Sequence, residues 1–135
     1  MDKVLGRQIA VVVIDQDSQN REFIGRCLTA AGLSATLSDS SLAVLEAIEN
    51  ERPDLILLDL VLPDQGAFEL LRLGIQAPGP NIPALPPILV MITDNPVMRL
   101  AIRNAGLCSL TKPFTQAELI DLIAEALQQP LSTAA

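Results

Sequence analysis

The feature that most constrains the fold is an apolar run within residues 53–63 that ends directly in an acid. Leu55 to Leu58 carry no polar side chain, and Asp59 follows them without a break. Four apolar residues are too few for a buried helix and are typical of a strand covered on both faces, as in a parallel sheet. Asp59 therefore falls where the strand leaves the sheet, which is the edge where open α/β folds bind ligands.

Two further apolar runs and two shorter, more polar strand segments occur along the chain, and helical patterns or turn signals separate them from one another. The segment at 33–37 is polar enough to be expected at or near an edge of the sheet. This alternation predicts a doubly wound α/β fold, a five-stranded parallel sheet with helices on both faces. Right-handed crossovers bring the carboxyl ends of all the strands to one edge. The predicted strands cover 8–14, 33–37, 55–58, 88–92 and 107–111. The predicted helices cover 19–31, about 40–50, 67–75, 96–105 and the segment between Thr115 and Pro130.

Local signals mark the ends of several predicted helices. Gly32 and Gly106 each stand where a glycine commonly ends a helix. Residues 115–118, TQAE, have the capping-box pattern that begins one. Because the chain has neither a repeat nor an internal boundary, we predict one domain over residues 1–129, with 130–135 as a tail or the start of a linker.

Composition excludes several classes of function. The net charge is −7 with no basic run or aromatic platform, which argues against direct nucleic-acid binding. The chain has no histidine, so histidine-based zinc sites and catalytic dyads are excluded. Cys27 and Cys108 lie in apolar contexts and are expected to be buried, reduced thiols. Neither a signal peptide nor a membrane-spanning apolar run occurs, so we expect a cytoplasmic protein.

The carboxyl edge of the predicted sheet collects side chains that suit phosphate chemistry. Asp15 follows the first strand, Asp59 the third, Thr93 the fourth and Lys112 the fifth, and the chain has only one other lysine, Lys3. Two neighbouring carboxylates repel each other, and a hard cation such as Mg²⁺ relieves the repulsion. A lysine and a hydroxyl can bind phosphoryl oxygens, so these are the parts needed to form an acyl phosphate. Taken singly, the two acids also suit helix caps or turns.

These motifs resemble a response-regulator receiver domain, the phosphoacceptor half of two-component signalling. The resemblance covers roughly residues 7–128 and depends on the order of the segments VVVIDQD, PDLILLDLVLP, FEL, MIT and TKPF. It implies the flavodoxin-like version of the doubly wound fold, with strand order 2-1-3-4-5. It also implies a signalling domain rather than an enzyme, and a cis peptide bond before Pro113.

The resemblance implies a role for each residue at the edge. Asp59 is implied to be the phosphoacceptor, which takes a phosphoryl group from a kinase histidine. Mg²⁺ is the implied cofactor, and its implied ligands are Asp15, Asp59 and the backbone carbonyl of Val61. Thr93 and Lys112 are implied to respond to the phosphoryl group.

Several residues depart from the family pattern. Gln16 stands where the family has a second acid, and its neutral amide predicts a weak or absent metal ligand, although a local shift would let Asp17 compensate. Asp94 stands where a small residue is usual, and Ser109 or Leu110 takes the place of an aromatic switch residue. These changes predict weakened phosphorylation or altered switching.

The sequence is also compatible with two other functions. A phosphorylation-independent interaction module on the same fold, a pseudo-receiver, is favoured by Gln16, Asp94 and the missing aromatic residue. A phosphohydrolase with an Asp nucleophile is the remoter alternative. Asp15 and Asp17 have the spacing of the acid pair in such enzymes, but the chain leaves little room for a substrate cap.

The resemblance also implies partners. A histidine kinase or a phosphotransfer protein would donate the phosphoryl group. A homodimer through the fourth helix, fifth strand and fifth helix is a second expectation, because receivers often dimerise there. Solvated ion pairs within one chain are the alternative explanation for the charges on this face. Those charges are Arg99 and Arg103 on the fourth helix and Glu118, Asp121 and Glu125 on the fifth.

Overall fold

The computed structural model describes residues 8–39, 52–59, 86–92, 96–104, 106–128 and 131. The helices predicted near 40–50 and 67–75, and most of the proline-rich stretch between 76 and 87, lie outside these ranges. The strands are β1 (Ala10–Ile14), β2 (Ser34–Ser38), β3 (Leu55–Asp59), β4 (Ile88–Ile92) and β5 (Cys108–Thr111). The helices are α1 (Ser18–Ala30), α2 (Pro96–Asn104) and α3 (Gln116–Leu127), where α2 and α3 are the predicted fourth and fifth helices.

The five strands form one parallel sheet in the order β2-β1-β3-β4-β5. The predicted strand order and the predicted fold class are therefore confirmed. β3 and β4 lie in the middle of the sheet and are buried along their whole length, as their unbroken apolar sequences require. β2 is an edge strand, and its polar sequence SATLS is only partly buried.

Alternate strand residues point to opposite faces of the sheet and build two separate cores. Leu57 of β3 packs into the core that lies under α1 and α3, together with Ile24 and Ile123 from those helices. Leu58, the next residue, packs into the core on the other face with Ile102 of α2. Helices therefore cover both faces, which is the doubly wound arrangement.

The predicted helix signals act as expected. Gly32 has a φ of +82°, and the amide of Leu33 donates to the carbonyl of Leu28 at 2.9 Å, which is the Schellman ending of α1. Thr115 and Glu118 form the reciprocal hydrogen bonds of a capping box at the start of α3. These ends fix where each chain segment enters and leaves the sheet.

The structure also bears on the predictions made for Pro113 and for the two cysteines. The peptide bond between Lys112 and Pro113 is cis, as the resemblance implied. Cys27 is buried as predicted, whereas Cys108 is only half-buried because it begins the edge strand β5, and both are free thiols. Among the described helices, none is long and apolar enough to cross a membrane.

Candidate functional site

The carboxyl edge of the sheet holds a pocket built from two acids and one lysine. Asp15 follows β1 directly, and Asp59 is the last residue of β3. Both carboxylates are buried, with 0% of Asp15 and 2% of Asp59 exposed. Lys112 Nζ lies 3.0 Å from Asp15 Oδ2 and 3.4 Å from Asp59 Oδ1, so one ammonium group bridges the two acids.

The parallel sheet explains why these residues meet. β1 and β3 are hydrogen-bonded neighbours, with Ile14 opposite Leu58, so the residues that follow this pair lie side by side. Lys112 follows β5, two strands further along the sheet, and its backbone amide donates to the carbonyl of Ile92 at 2.7 Å. Its long side chain then reaches back across the end of β4 to the acids.

Asp15 is held by hydrogen bonds from three directions. Its Oδ1 accepts from the backbone amide of Asp17 at 2.9 Å, and its Oδ2 accepts from Asn20 Nδ2 at 2.6 Å. Burial alone would raise the pKa of Asp15. The hydrogen bonds from Asn20, the Asp17 amide and Lys112 outweigh burial and hold the pKa of Asp15 below its ordinary value.

The lowered pKa predicts how acid affects stability. A carboxyl group with a lowered pKa in the folded state stabilises the fold above its unfolded pKa, at about pH 4. This contribution is lost as the pH falls through the lower folded value. We therefore expect the free energy of unfolding of the wild type to fall more steeply below about pH 4 than that of Asp15→Asn. Chemical denaturation at several pH values measures this, and Asp121→Asn, at an exposed position, is the control. Parallel profiles for wild type and Asp15→Asn would contradict the expectation.

The donor chemistry of the two acids also suits a divalent cation. Two buried carboxylates are the hard oxygen donors that Mg²⁺ takes, and their mutual repulsion favours a cation between them. Within the part of the chain that the structure describes, no third acid or cysteine joins them. Among the described residues, a further ligand would therefore be a neutral side-chain oxygen or a backbone carbonyl, and water is the alternative. With that limit, the pocket fits a cation held by Asp15 and Asp59.

The structure locates only some of the predicted site residues. It brings Asp15, Asp59 and Lys112 together, whereas Thr93, Asp94 and the carbonyl of Val61 lie outside the described residues. Gln16 is exposed. Asp17 caps α1, where its side chain accepts from the backbone amides of residues 19 and 20, so it makes no shift toward the pocket.

The structure distinguishes between Ser109 and Leu110, the two candidates for the position of the family's aromatic switch residue. Leu110 is buried in the core under α1 and α3. Ser109 is half-buried and lines a cavity of about 300 Å³ between α2 and α3 at the edge strand β5, together with Arg99, Arg103 and Glu125. Ser109 is therefore the residue that stands at the face between α2 and α3.

Sequence reasoning missed two residues that support the pocket. Asn20 donates to the Asp15 side chain, and Arg21 Nη1 donates to the Asp15 backbone carbonyl at 2.6 Å. Both lie in the first turns of α1. The available signal was their distance from Asp15, since a helix that begins two or three residues after the acid turns these positions back toward it.

The family comparison decides the class of protein. The sequence model of the response regulator receiver domain matches residues 11–124, a span that contains Asp15, Asp59 and Lys112. The chain belongs to this family. It is therefore the receiver domain of a two-component response regulator. Receiver domains are signalling modules that interact with kinases, and the family generally binds Mg²⁺ in an acidic pocket.

Individual relatives agree with this assignment. The DNA-binding transcriptional regulator NtrC of Bradyrhizobium sp. is 32% identical over 124 residues, which cover 90% of this receiver and 25% of that protein. The response regulator MprA of Mycobacterium sp. (strain KMS) is 31% identical over 113 residues, 83% of this receiver and 47% of that protein. The chain thus spans between a quarter and a half of the length of these two relatives.

A solved structure supports the fold of the receiver independently. The response regulator receiver protein from Burkholderia phymatum is 26% identical and superposes with a TM-score of 0.74. The match covers 92% of this chain and 98% of that one.

Proposed function

We propose that this receiver takes a phosphoryl group onto Asp59 from a phosphohistidine of a histidine kinase or a phosphotransfer protein. The observation that carries the proposal is the bridging lysine. Asp59 is buried at the carboxyl edge, and Lys112 Nζ lies 3.4 Å from its Oδ1 while also contacting Asp15. A carboxylate nucleophile beside a fixed cation is the arrangement that phosphoryl transfer needs.

The chemistry assigned to the chain is a single exchange of bonds. A carboxylate oxygen of Asp59 attacks phosphorus, and a new O–P bond forms as the P–N bond of the phosphohistidine breaks. The imidazole nitrogen keeps the electron pair of the broken bond and takes a proton from water. Lys112 then pairs with the phosphoryl oxygens, and the hydroxyl of Thr93 is the expected hydrogen-bond donor to them.

A divalent cation belongs to this proposal. Asp15 and Asp59 would hold it, with the backbone carbonyl of Val61 as an expected ligand and Gln16 as a weak or absent one. When bound, Mg²⁺ offsets the charge of the carboxylates and of the phosphoryl oxygens. Asp15 therefore acts as a metal ligand, while Asp59 is both ligand and nucleophile. A cytoplasmic location and a receiver that extends to residue 129 are further parts of the proposal.

Uptake of phosphate tests the function. Incubation with a small acyl-phosphate donor and Mg²⁺ should add one phosphoryl group to each chain, seen as a mass increase in intact-protein mass spectrometry. Removal of the cation with a chelator should slow the uptake by at least about tenfold, because the carboxylates then repel the incoming phosphoryl oxygens. Absence of any adduct under conditions where the protein is folded and binds Mg²⁺ would refute the function.

A phosphorylation-independent interaction module is the second candidate. The observation that favours it is again Lys112, whose ammonium group already offsets the charge of both acids, together with an exposed Gln16. Beryllofluoride distinguishes the two functions, since it mimics a phosphoryl group on a carboxylate. NMR shifts around Thr93 on its addition support the phosphoacceptor, whereas an unchanged spectrum supports the interaction module. We expect that the chain does not hydrolyse a generic aryl phosphate. Hydrolysis of that substrate would instead favour the phosphohydrolase alternative.

The face formed by α2, β5 and α3 is the proposed dimer surface. Arg103 is exposed on α2, and Asp121 and Glu125 are exposed on α3, so one face carries both signs of charge. If two receivers pair here, Arg103→Glu should shift the sedimentation-equilibrium constant toward monomer by at least about tenfold, because like charges then meet across the interface. Arg26→Glu, on α1, is the matched control. An unchanged constant for Arg103→Glu would remove this surface from the proposal.

A further inference from the structure

Asn20 reaches the acidic pocket that the exposed Gln16 does not. Its Nδ2 lies 2.6 Å from Asp15 Oδ2, and the same oxygen is 3.0 Å from Lys112 Nζ. Lys112 in turn contacts Asp59. The Asn20 amide thus contacts the very oxygen through which Asp15 faces the second acid. Gln16, which stands at the family's usual acid position, is exposed to solvent.

The start of α1 holds Asn20 in this place. Asp17 caps the helix and accepts hydrogen bonds from the backbone amides of Gln19 and Asn20, at 3.0 Å and 3.4 Å. Arg21, the next residue in the helix, donates a hydrogen bond from its guanidinium group to the backbone carbonyl of Asp15 at 2.6 Å. The backbone of Asn20 is therefore fixed relative to the acid on both sides, and only its side-chain amide is left to turn.

We propose that Asn20, and not Gln16, supplies the neutral side-chain oxygen ligand to a divalent cation held by Asp15 and Asp59. The inference rests on the proposed function. An asparagine amide carries a donor nitrogen and an acceptor oxygen on one carbon, so turning it exchanges one for the other without moving the backbone. Hard cations take amide oxygens together with carboxylates. Asn20 therefore replaces the missing acid from a different position in the sequence.

A donor-only role for Asn20 is the competing explanation, and the loss of a hydrogen bond to a ligating carboxylate would also weaken cation binding. Asn20→Asp separates the two roles. An aspartate cannot donate to Asp15, but it offers the cation an oxygen at the same reach, so a ligand role predicts Mn²⁺ binding at least as tight as in the wild type. A donor-only role predicts binding that is weakened as much as in Asn20→Ala.

Cation affinity measured without a phosphodonor tests the assignment. The probe is Mn²⁺, titrated into the whole receiver by calorimetry and by electron paramagnetic resonance, because the chain has no Trp or Tyr to report binding by fluorescence. Asn20→Ala should weaken Mn²⁺ binding by about tenfold, the loss typical of removing one polar group that supports a metal site. Gln16→Ala and the neighbouring Gln19→Ala, both at exposed positions, should change it by less than about twofold. Asn20→Leu repeats the test with a residue of similar size that favours a helix.

The outcomes separate this inference from the function on which it rests. Mn²⁺ binding by the wild type that is unchanged or tighter in both Asn20→Ala and Asn20→Leu overturns the role of Asn20 and leaves the phosphoacceptor function standing. A loss in Gln16→Ala as large as that in Asn20→Ala also overturns it. No Mn²⁺ binding by the folded wild type overturns both. Binding that is weakened in Asn20→Ala and Asn20→Leu and restored in Asn20→Asp supports both. Binding that is weakened in all three variants overturns the ligand role of Asn20 alone.

Discussion

Asp59→Asn should take up no phosphoryl group from an acyl-phosphate donor, where the wild type takes up one per chain. The asparagine has the size of the acid and keeps an oxygen near Lys112, but a neutral amide is not a nucleophile for phosphorus. Intact-protein mass spectrometry at equal donor and Mg²⁺ concentrations gives the comparison. The loss should be complete rather than partial, because the proposed mechanism has a single acceptor.

The expected stability of Asp59→Asn and a control at Asp54 separate loss of the acceptor from loss of the fold. The free energy of unfolding of Asp59→Asn should not fall, because one of two neighbouring buried carboxylates is removed while Lys112 keeps Asp15 as a partner. Asp54→Asn is the matched control. It lies just before β3, at the opposite end of the strand, where its carboxylate accepts from the amide of Ala10. Asp54→Asn should keep full uptake, and unchanged uptake by Asp59→Asn would contradict the account.

Lys112→Met should lower the free energy of unfolding at pH 7 by about 2–4 kcal/mol, since it leaves two buried carboxylates without the cation between them. The ammonium group contacts both acids, and only 19% of the lysine side chain is exposed, so solvent replaces little of the lost interaction. Urea denaturation followed by far-ultraviolet circular dichroism measures the change. The destabilisation should shrink as the pH falls, because a protonated carboxyl no longer repels its neighbour.

A second substitution tests the electrostatic cause of this loss. Adding Asp59→Asn to Lys112→Met should recover most of the lost stability, because one charge of the unbalanced pair disappears. Arg26→Met removes a cation at an exposed position on α1 and should change stability by less than about 0.5 kcal/mol. If the double variant is as unstable as Lys112→Met alone, packing of the lysine chain rather than its charge holds the pocket.

The fold could be predicted from sequence because its signals are local and redundant. The apolar runs that form β1, β3 and β4 are too short for a buried helix, and the sequence ILVMI of β4 matches the observed strand residue for residue. Gly32 and the Thr115 capping box mark helix ends by backbone geometry alone, which needs no knowledge of distant contacts. The parallel sense and the strand order then follow from the alternation and the family resemblance.

The site could be predicted only in outline. The sequence placed Asp15, Asp59 and Lys112 at one edge, because parallel strands must deliver their ends there. It did not reveal that Lys112 lies closer to Asp15 than to Asp59, at 3.0 Å against 3.4 Å. It also missed Asn20, whose contact depends on the exact residue at which α1 begins. Helix starts are uncertain by one or two residues in sequence, and a shift of one residue turns a side chain by about 100° around the helix.

The most direct test of the central claim is to locate the phosphoryl group on the wild-type chain. Borohydride reduction converts an aspartyl phosphate into homoserine, and tandem mass spectrometry of the resulting peptides identifies the residue that changed. We expect homoserine at Asp59 and at no other position, in proportion to the phosphoryl group taken up. Modification at Asp15, Asp17 or any residue other than Asp59 would contradict it.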